Sequence, residues 1–227
     1  MMRLTCLVLG VLVFGASSAV VAADDFKPLF DGETLDGWVQ KGGEAEYRVE
    51  DGQIIGTSKK GTPNSFLTTA KDYDNFELIL EFLPDETLNS GVQIRSNMYD
   101  EPKTYTWTVD GKEKSTTVKE GRVHGYQVEI DPSPRAWTGG IYDEGRRGWL
   151  NNLANNEAAR KAFKPGEWNE FRIVANGDSI KTFLNGVPAA DLKDDMTGEG
   201  FIALQVHSFK EDGHEIRWRN IRIRELP

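Results

Sequence analysis

Four dipeptides constrain this chain more than any other feature: Asp51-Gly52, Asp110-Gly111, Asn176-Gly177 and Asn185-Gly186. Each joins a residue that tolerates the left-handed backbone region to a glycine that enters it freely, which is the chemistry of a tight hairpin turn. The runs around them alternate apolar and polar residues. Tyr47 to Thr57 reads as one hairpin about Asp51-Gly52. Asn75 to Leu83 places Phe76, Leu78, Leu80 and Phe82 on one face, with Glu77 and Glu81 on the other. Successive strand side chains point to opposite faces, so each run has one side to bury and one to solvate.

The same alternation recurs along the chain. Gly91 to Ser96 sets Val92 and Ile94 against Gln93 and Arg95, and Phe201 to His207 sets Ile202, Leu204 and Val206 against Ala203, Gln205 and His207. In the last run Ile216 and Trp218 share one parity while Ile221 and Ile223 share the other, which predicts a bulge near Arg219-Asn220. Tyr99 to Gly121 is polar and lysine-rich and reads as an insertion at the rim, turned at Asp110-Gly111. Only Asn155 to Phe163 has a helical character, and it is short. Many short strands joined by glycine-centred turns predict an all-β fold, a single antiparallel β-sandwich of the jelly-roll kind with one short helix, over residues 24–227.

Residues 1–23 fall outside that domain. A short basic start, the apolar run Leu4 to Phe14 and the small residues leading to Val21-Ala22-Ala23 form the pattern of a secretory leader cleaved after Ala23. The apolar run is shorter than the ~20 residues a membrane span needs, so no membrane insertion of the mature chain is expected. Periplasmic or extracellular export follows. Cys6 is the only cysteine and lies in the leader, so the exported domain has no disulfide and has to rely on a real core. The formal net charge is −9, and loss of Arg3 with the leader makes the remainder more acidic still. An acidic surface argues against nucleic acid as a partner. Nothing in the sequence fixes an oligomeric state.

The polar parities are where chemistry is to be sought. His124 to Trp149 begins with a strand whose apolar face is Tyr126, Val128 and Ile130 and whose polar face is Gln127, Glu129 and Asp131. With Gln93 and Arg95, and with Gln205 and His207, three strands offer polar rows that meet on one concave face. A groove of amides, carboxylates, an arginine and aromatics suits a carbohydrate ligand, since every sugar hydroxyl both donates and accepts. Trp137, Tyr142 and Trp149 are the candidate platforms for sugar faces, although edge packing explains the tryptophans equally well. Arg146 is a candidate contact, with a solvated turn as the plainer reading. His207 follows a core pattern and shares the parity of Gln205, and a histidine near carboxylates can titrate close to neutrality. Histidines and acids also allow a divalent metal, but no spacing identifies one.

The chain resembles the 3-keto-disaccharide hydrolase family. The likeness is carried by Leu29-Phe30-Asp31-Gly32 with Leu35-Asp36-Gly37-Trp38, Asn89-Ser90-Gly91 with Arg95, and Gly125 to Asp131. Pro165-Gly166-Glu167-Trp168-Asn169, Leu184-Asn185-Gly186, Leu204-Gln205-Val206-His207 and Arg219-Asn220-Ile221 complete it. The resemblance implies a concanavalin A-like jelly roll, export, and action on sugars oxidised at C3. In many relatives the central strand carries Glu and then Gln, whereas here Gln127 precedes Glu129.

A ketone at C3 acidifies the hydrogen on C2, so a base can remove it and form an enolate that expels the C1 substituent. Such a site needs a base near C2, a donor at the C3 oxygen and an acid for the leaving group. His207 or Glu129 is the candidate base, Arg95 the enolate stabiliser, and Asp131 an acid or positioning group. Two rivals stand beside this reading. A retaining glycosidase of the laminarinase type needs a third acid where Ser133 or Pro134 stands, and Glu129 and Asp131 alone lie about 6.6 Å apart on one face of a strand. A non-catalytic carbohydrate-binding module would use the same groove but has no need of a His, Glu and Arg set.

Overall fold

The computed structural model describes residues 25–227. The expected leader lies outside these residues. In chain order the strands are β1 (Lys27–Pro28), β2 (Trp38–Gly42), β3 (Glu46–Glu50), β4 (Gln53–Thr57), β5 (Ser65–Tyr73) and β6 (Phe76–Pro84). They continue as β7 (Ser90–Asn97), β8 (Lys103–Val109), β9 (Lys112–Val118), β10 (His124–Ile130), β11 (Ile141–Glu144) and β12 (Gly148–Asn151). After helix α1 (Glu157–Ala162) come β13 (Asn169–Asn176), β14 (Ser179–Leu184), β15 (Val187–Lys193), β16 (Gly200–Val206) and β17 (Glu215–Glu225).

All strand pairs are antiparallel, and all strands except β8 and β9 belong to two large sheets. The eight-stranded sheet runs β15-β14-β13-β6-β17-β4-β3, with β1 on β17, and the seven-stranded sheet runs β12-β11-β10-β7-β16-β5-β2. One apolar core lies between them. Phe76, Leu78, Leu80 and Phe82 of β6 meet Tyr126, Val128 and Ile130 of β10 in it, along with Ile202, Leu204 and Val206 of β16. The apolar faces predicted from alternation are the ones turned to this core, so the polar rows of β10 and β16 lie on the outer face of the seven-stranded sheet.

The turns hold with one shift. Asp51-Gly52, Asp110-Gly111 and Asn185-Gly186 all have positive φ, between 50° and 79°, and close the β3–β4, β8–β9 and β14–β15 hairpins. The β13–β14 hairpin instead pairs Asn176 with Ser179, so its two-residue turn is Gly177-Asp178 rather than Asn176-Gly177. The bulge in β17 is present, with the register shifting between Arg219 and Arg222 and Asn220 at φ 52°. The helix is shorter than its sequence pattern, because Asn156 caps it and accepts the N–H of Ala159 at 3.1 Å. Strands β8 and β9 pair only with each other, as a rim insertion should.

Candidate active site

Strand β10 pairs Gln127 with Gln93 of β7 on one side and with Tyr142 of β11 on the other. Residues directly opposite share a face, so Gln93, Gln127 and Tyr142 point outward together. Glu129 and Gln205 both pair with Gly91 of β7, so they flank it on that same face. The three amides bond to one another rather than to solvent. Gln93 Nε2 and Gln205 Nε2 both donate to Gln127 Oε1, at 2.6 and 2.8 Å, and Gln127 Nε2 donates to Glu129 Oε2 at 2.9 Å. All three are buried. Their amides bond mainly to each other, with Gln205 Oε1 left without a partner, and they form the floor beside Glu129.

Glu129 is only 5% exposed. Asn89 Nδ2 donates to its Oε1 at 2.8 Å, and the nearest guanidinium atom, Arg135 Nη2, stands 3.7 Å away. Burial pushes the Glu129 carboxyl up to about 7; the bonds from Asn89 and Gln127 work against that shift, and the charge of Asp131 works with it. A carboxyl poised there can take up and release a proton at neutral pH.

An aromatic wall rises beside it. Trp149 of β12 pairs with Tyr142 and meets its ring edge-on at 5.3 Å, and Trp137 meets Trp149 edge-on at 4.8 Å. The Arg135 guanidinium lies over both indoles, 4.5 Å from the Trp137 centroid and 5.1 Å from that of Trp149. All three rings are half-buried, so they pack on one another and still present surface. Arg135 escaped the sequence reading. Its signal was its place four residues beyond Asp131 in a loop that the strand pattern did not interpret.

Three expected site residues lie elsewhere or do other work. Arg95 has φ 44° and points away from the polar row. Its Nε donates to Asp74 O at 2.6 Å, Nη1 to Gly177 O at 2.7 Å and Nη2 to Asn75 Oδ1 at 3.1 Å. Strand β7 bulges here: its pairing with β10 jumps from Ile94–Tyr126 to Asn97–His124. The bulge puts Ser96 on the face where alternation placed Arg95, and Ser96 Oγ donates to Gln93 Oε1 at 2.7 Å. Arg146 is likewise turned away. Its side chain is fully buried against Asp143 and sits over the rings of Tyr105 and Tyr126, on the far side of the sheet from Tyr142.

Asp131 sits beside Glu129 but organises its own loop. It accepts Ser133 N at 3.1 Å, Arg135 Nε at 2.8 Å and Trp137 N at 3.2 Å. Burial works to raise its carboxyl, but these hydrogen bonds outweigh burial and hold it below the usual range. It stays ionised and cannot serve as the acid. His207 is half-buried, one residue beyond β16, and its Nδ1 lies 2.8 Å from Ser208 O. A carbonyl only accepts, so Nδ1 carries a proton.

A separate cleft of about 500 Å³ is lined by Asn64, Phe66, Arg122, Val123, Glu144 and Ser208 among others; Glu129, Arg135 and the three rings are not among its lining residues. Among the described residues no three His, Cys, Asp or Glu side chains converge as a metal cage.

Fold and site together define an antiparallel jelly-roll protein with a buried carboxyl beside an aromatic wall. The chain belongs to the family of 3-keto-alpha-glucoside-1,2-lyase-like domains, which it matches over residues 25–224. Two solved structures from Parabacteroides distasonis, each described as a candidate glycosyl hydrolase, share the fold. One is 16% identical, with 92% of this chain and 99% of that one covered at a TM-score of 0.55. The other is 24% identical, with 88% and 99% covered and a TM-score of 0.54. A Bacillus subtilis protein of unknown function with a galectin-like fold is 10% identical, covering 88% of this chain and 94% of that one at a TM-score of 0.56. A search of curated proteins finds no match. Among the described residues no helix is long and apolar enough to cross a membrane.

Proposed function

We propose that this protein cleaves the glycosidic bond of 3-keto glycosides through loss of the hydrogen on C2, with Glu129 as the base. The observation that carries this reading is a buried carboxyl pushed up to about 7 beside an aromatic wall and a guanidinium. Family membership supports this choice of substrate class.

The electrons balance as follows. Glu129 takes the C2 proton, and the electron pair of that bond moves toward the C3 oxygen as an enolate. Arg135, with Nη2 3.7 Å from Glu129 Oε1, is the cation within reach of that oxygen. The enolate pair returns to form the C1–C2 double bond, and the C1–O bond breaks toward the leaving group. The leaving oxygen takes up a proton from water. Addition of water across C1–C2 then yields the free 3-keto sugar, so net hydrolysis follows from elimination. Trp137, Tyr142 and Trp149 serve as platforms for the apolar faces of the rings.

A retaining mechanism is disfavoured by Asp131, whose carboxylate is committed to Ser133, Arg135 and Trp137. The same aromatic wall favours the second reading, a carbohydrate-binding module. A matched pair of substrates separates the readings: a glucoside and its 3-keto derivative, each incubated with the purified protein. The proposal expects turnover of the 3-keto compound alone, and Arg135→Ala should slow it about a hundred- to a thousandfold. Turnover of the plain glucoside would establish a conventional glycosidase, and binding of either without turnover would establish a binding module.

A further inference from the structure

The amides beneath Glu129 form a chain with a single direction. Ser96 Oγ donates to Gln93 Oε1, Gln93 Nε2 donates to Gln127 Oε1, and Gln127 Nε2 donates to Glu129 Oε2. Gln205 Nε2 supplies a second donor to Gln127 Oε1. That direction is imposed from the carboxylate outward. An ionised carboxylate only accepts, so Gln127 turns its NH₂ to Glu129 and its carbonyl to Gln93 and Gln205. Gln93 then presents its own NH₂, and its carbonyl is left for the hydroxyl of Ser96. Every member is buried, and only Gln205 Oε1, at the side of the chain, is left without a partner.

Space for the chain comes from Gly91. It lies between Glu129 and Gln205 in the pairing of the sheet. A Cβ at this position would come within 2.5 Å of both Cγ and Cδ of Gln127. The backbone of Gly91 is not left-handed, so close approach is the reason for glycine here. Its missing side chain lets Gln127 lie across β7 and reach Gln205 on the far side.

We propose that Ser96, Gln93, Gln205 and Gln127, laid over Gly91, are a positioning relay that fixes the Glu129 carboxylate with its Oε1 edge toward Arg135. The relay acts through Glu129 and touches no substrate, and its importance to catalysis rests on the role proposed for Glu129 above. Gln93 and Ser96 have no contact with Glu129, yet the relay makes both of them determinants of its proton affinity. Bonds that polarise one another pass such an effect along the chain.

The test reads Glu129 directly and needs no substrate. The full-length protein is labelled with carboxyl-¹³C glutamate and titrated by NMR, and the Glu129 resonance is assigned by its loss in Glu129→Gln. Gln127→Leu removes one donor from the carboxylate and should raise its titration midpoint by about one to two pH units. Gly91→Ala keeps every amide but displaces Gln127, and should raise the midpoint in the same direction. Gln93→Leu and Ser96→Ala should raise it less. Where Gln127→Leu does not fold, the three milder variants decide. Folded Gly91→Ala and Gln93→Leu proteins with an unchanged midpoint would overturn the relay and leave the proposed activity untouched. Shifted midpoints in a protein whose Glu129→Gln variant still cleaves its substrate would keep the relay and remove Glu129 from the mechanism.

Discussion

A carboxyl that is 5% exposed must find a close cation or bind its proton more tightly, and Glu129 does the second. The consequence for stability has a definite sign. The folded value of about 7 lies above the unfolded value of 4.5, so the contribution of Glu129 is fully present below pH 4.5 and is lost as pH rises through 7. Glu129→Gln removes that loss. The stability gap between variant and wild type should widen in favour of the variant by roughly 3 kcal/mol from pH 4.5 to pH 8, as read from urea unfolding midpoints. A gap that stays constant over that range would mean the carboxyl is not raised. Glu129 could be singled out in the sequence because its parity with Gln127 is a local property of one strand. Arg135 could not, because it reaches the site through an irregular loop shaped by Asp131, and strand alternation carries no information about loops.

Among the elements, β7 shows where alternation fails. Its first half follows the pattern, with Val92 and Ile94 in the core and Gln93 on the polar face. The bulge at Arg95 depends on how β7 meets Gly125 of β10, two residues opposing one, and nothing within β7 signals it. Arg95 is therefore a bracket at the rim. It ties the Asp74-Asn75 turn that carries the chain from β5 to β6 to the turn at Gly177. Arg95→Ala should destabilise the protein by about 2–5 kcal/mol, since two backbone carbonyls lose a charged donor. Turnover by the folded fraction at low temperature should change little. Loss of turnover with the thermal melt unchanged would return Arg95 to the site. The bulge near Arg219-Asn220 was legible for the opposite reason: both of its halves bury large side chains, so the parity change shows within a single strand.

Across the whole molecule, the order of turns and apolar faces was enough to foresee two antiparallel sheets over one core. It also foresaw which face of β10 and β16 turns outward. It could not foresee that the outward face is buried too: Phe66 of β5, Phe201 and Ala203 of β16 and Val123 form a second apolar cluster. The glutamines are buried on that face, and Glu129, Arg135 and the aromatic wall lie beside them. The account stands or falls on whether the C2 hydrogen of the substrate is removed. The direct measurement is turnover of a 3-keto glycoside in deuterated water, with the products read by NMR and a C2-deuterated substrate run in parallel. Deuterium at C2, or accumulation of a C1–C2 unsaturated product, together with a primary isotope effect is the predicted result. Hydrolysis with the C2 hydrogen fully retained and no isotope effect would contradict it.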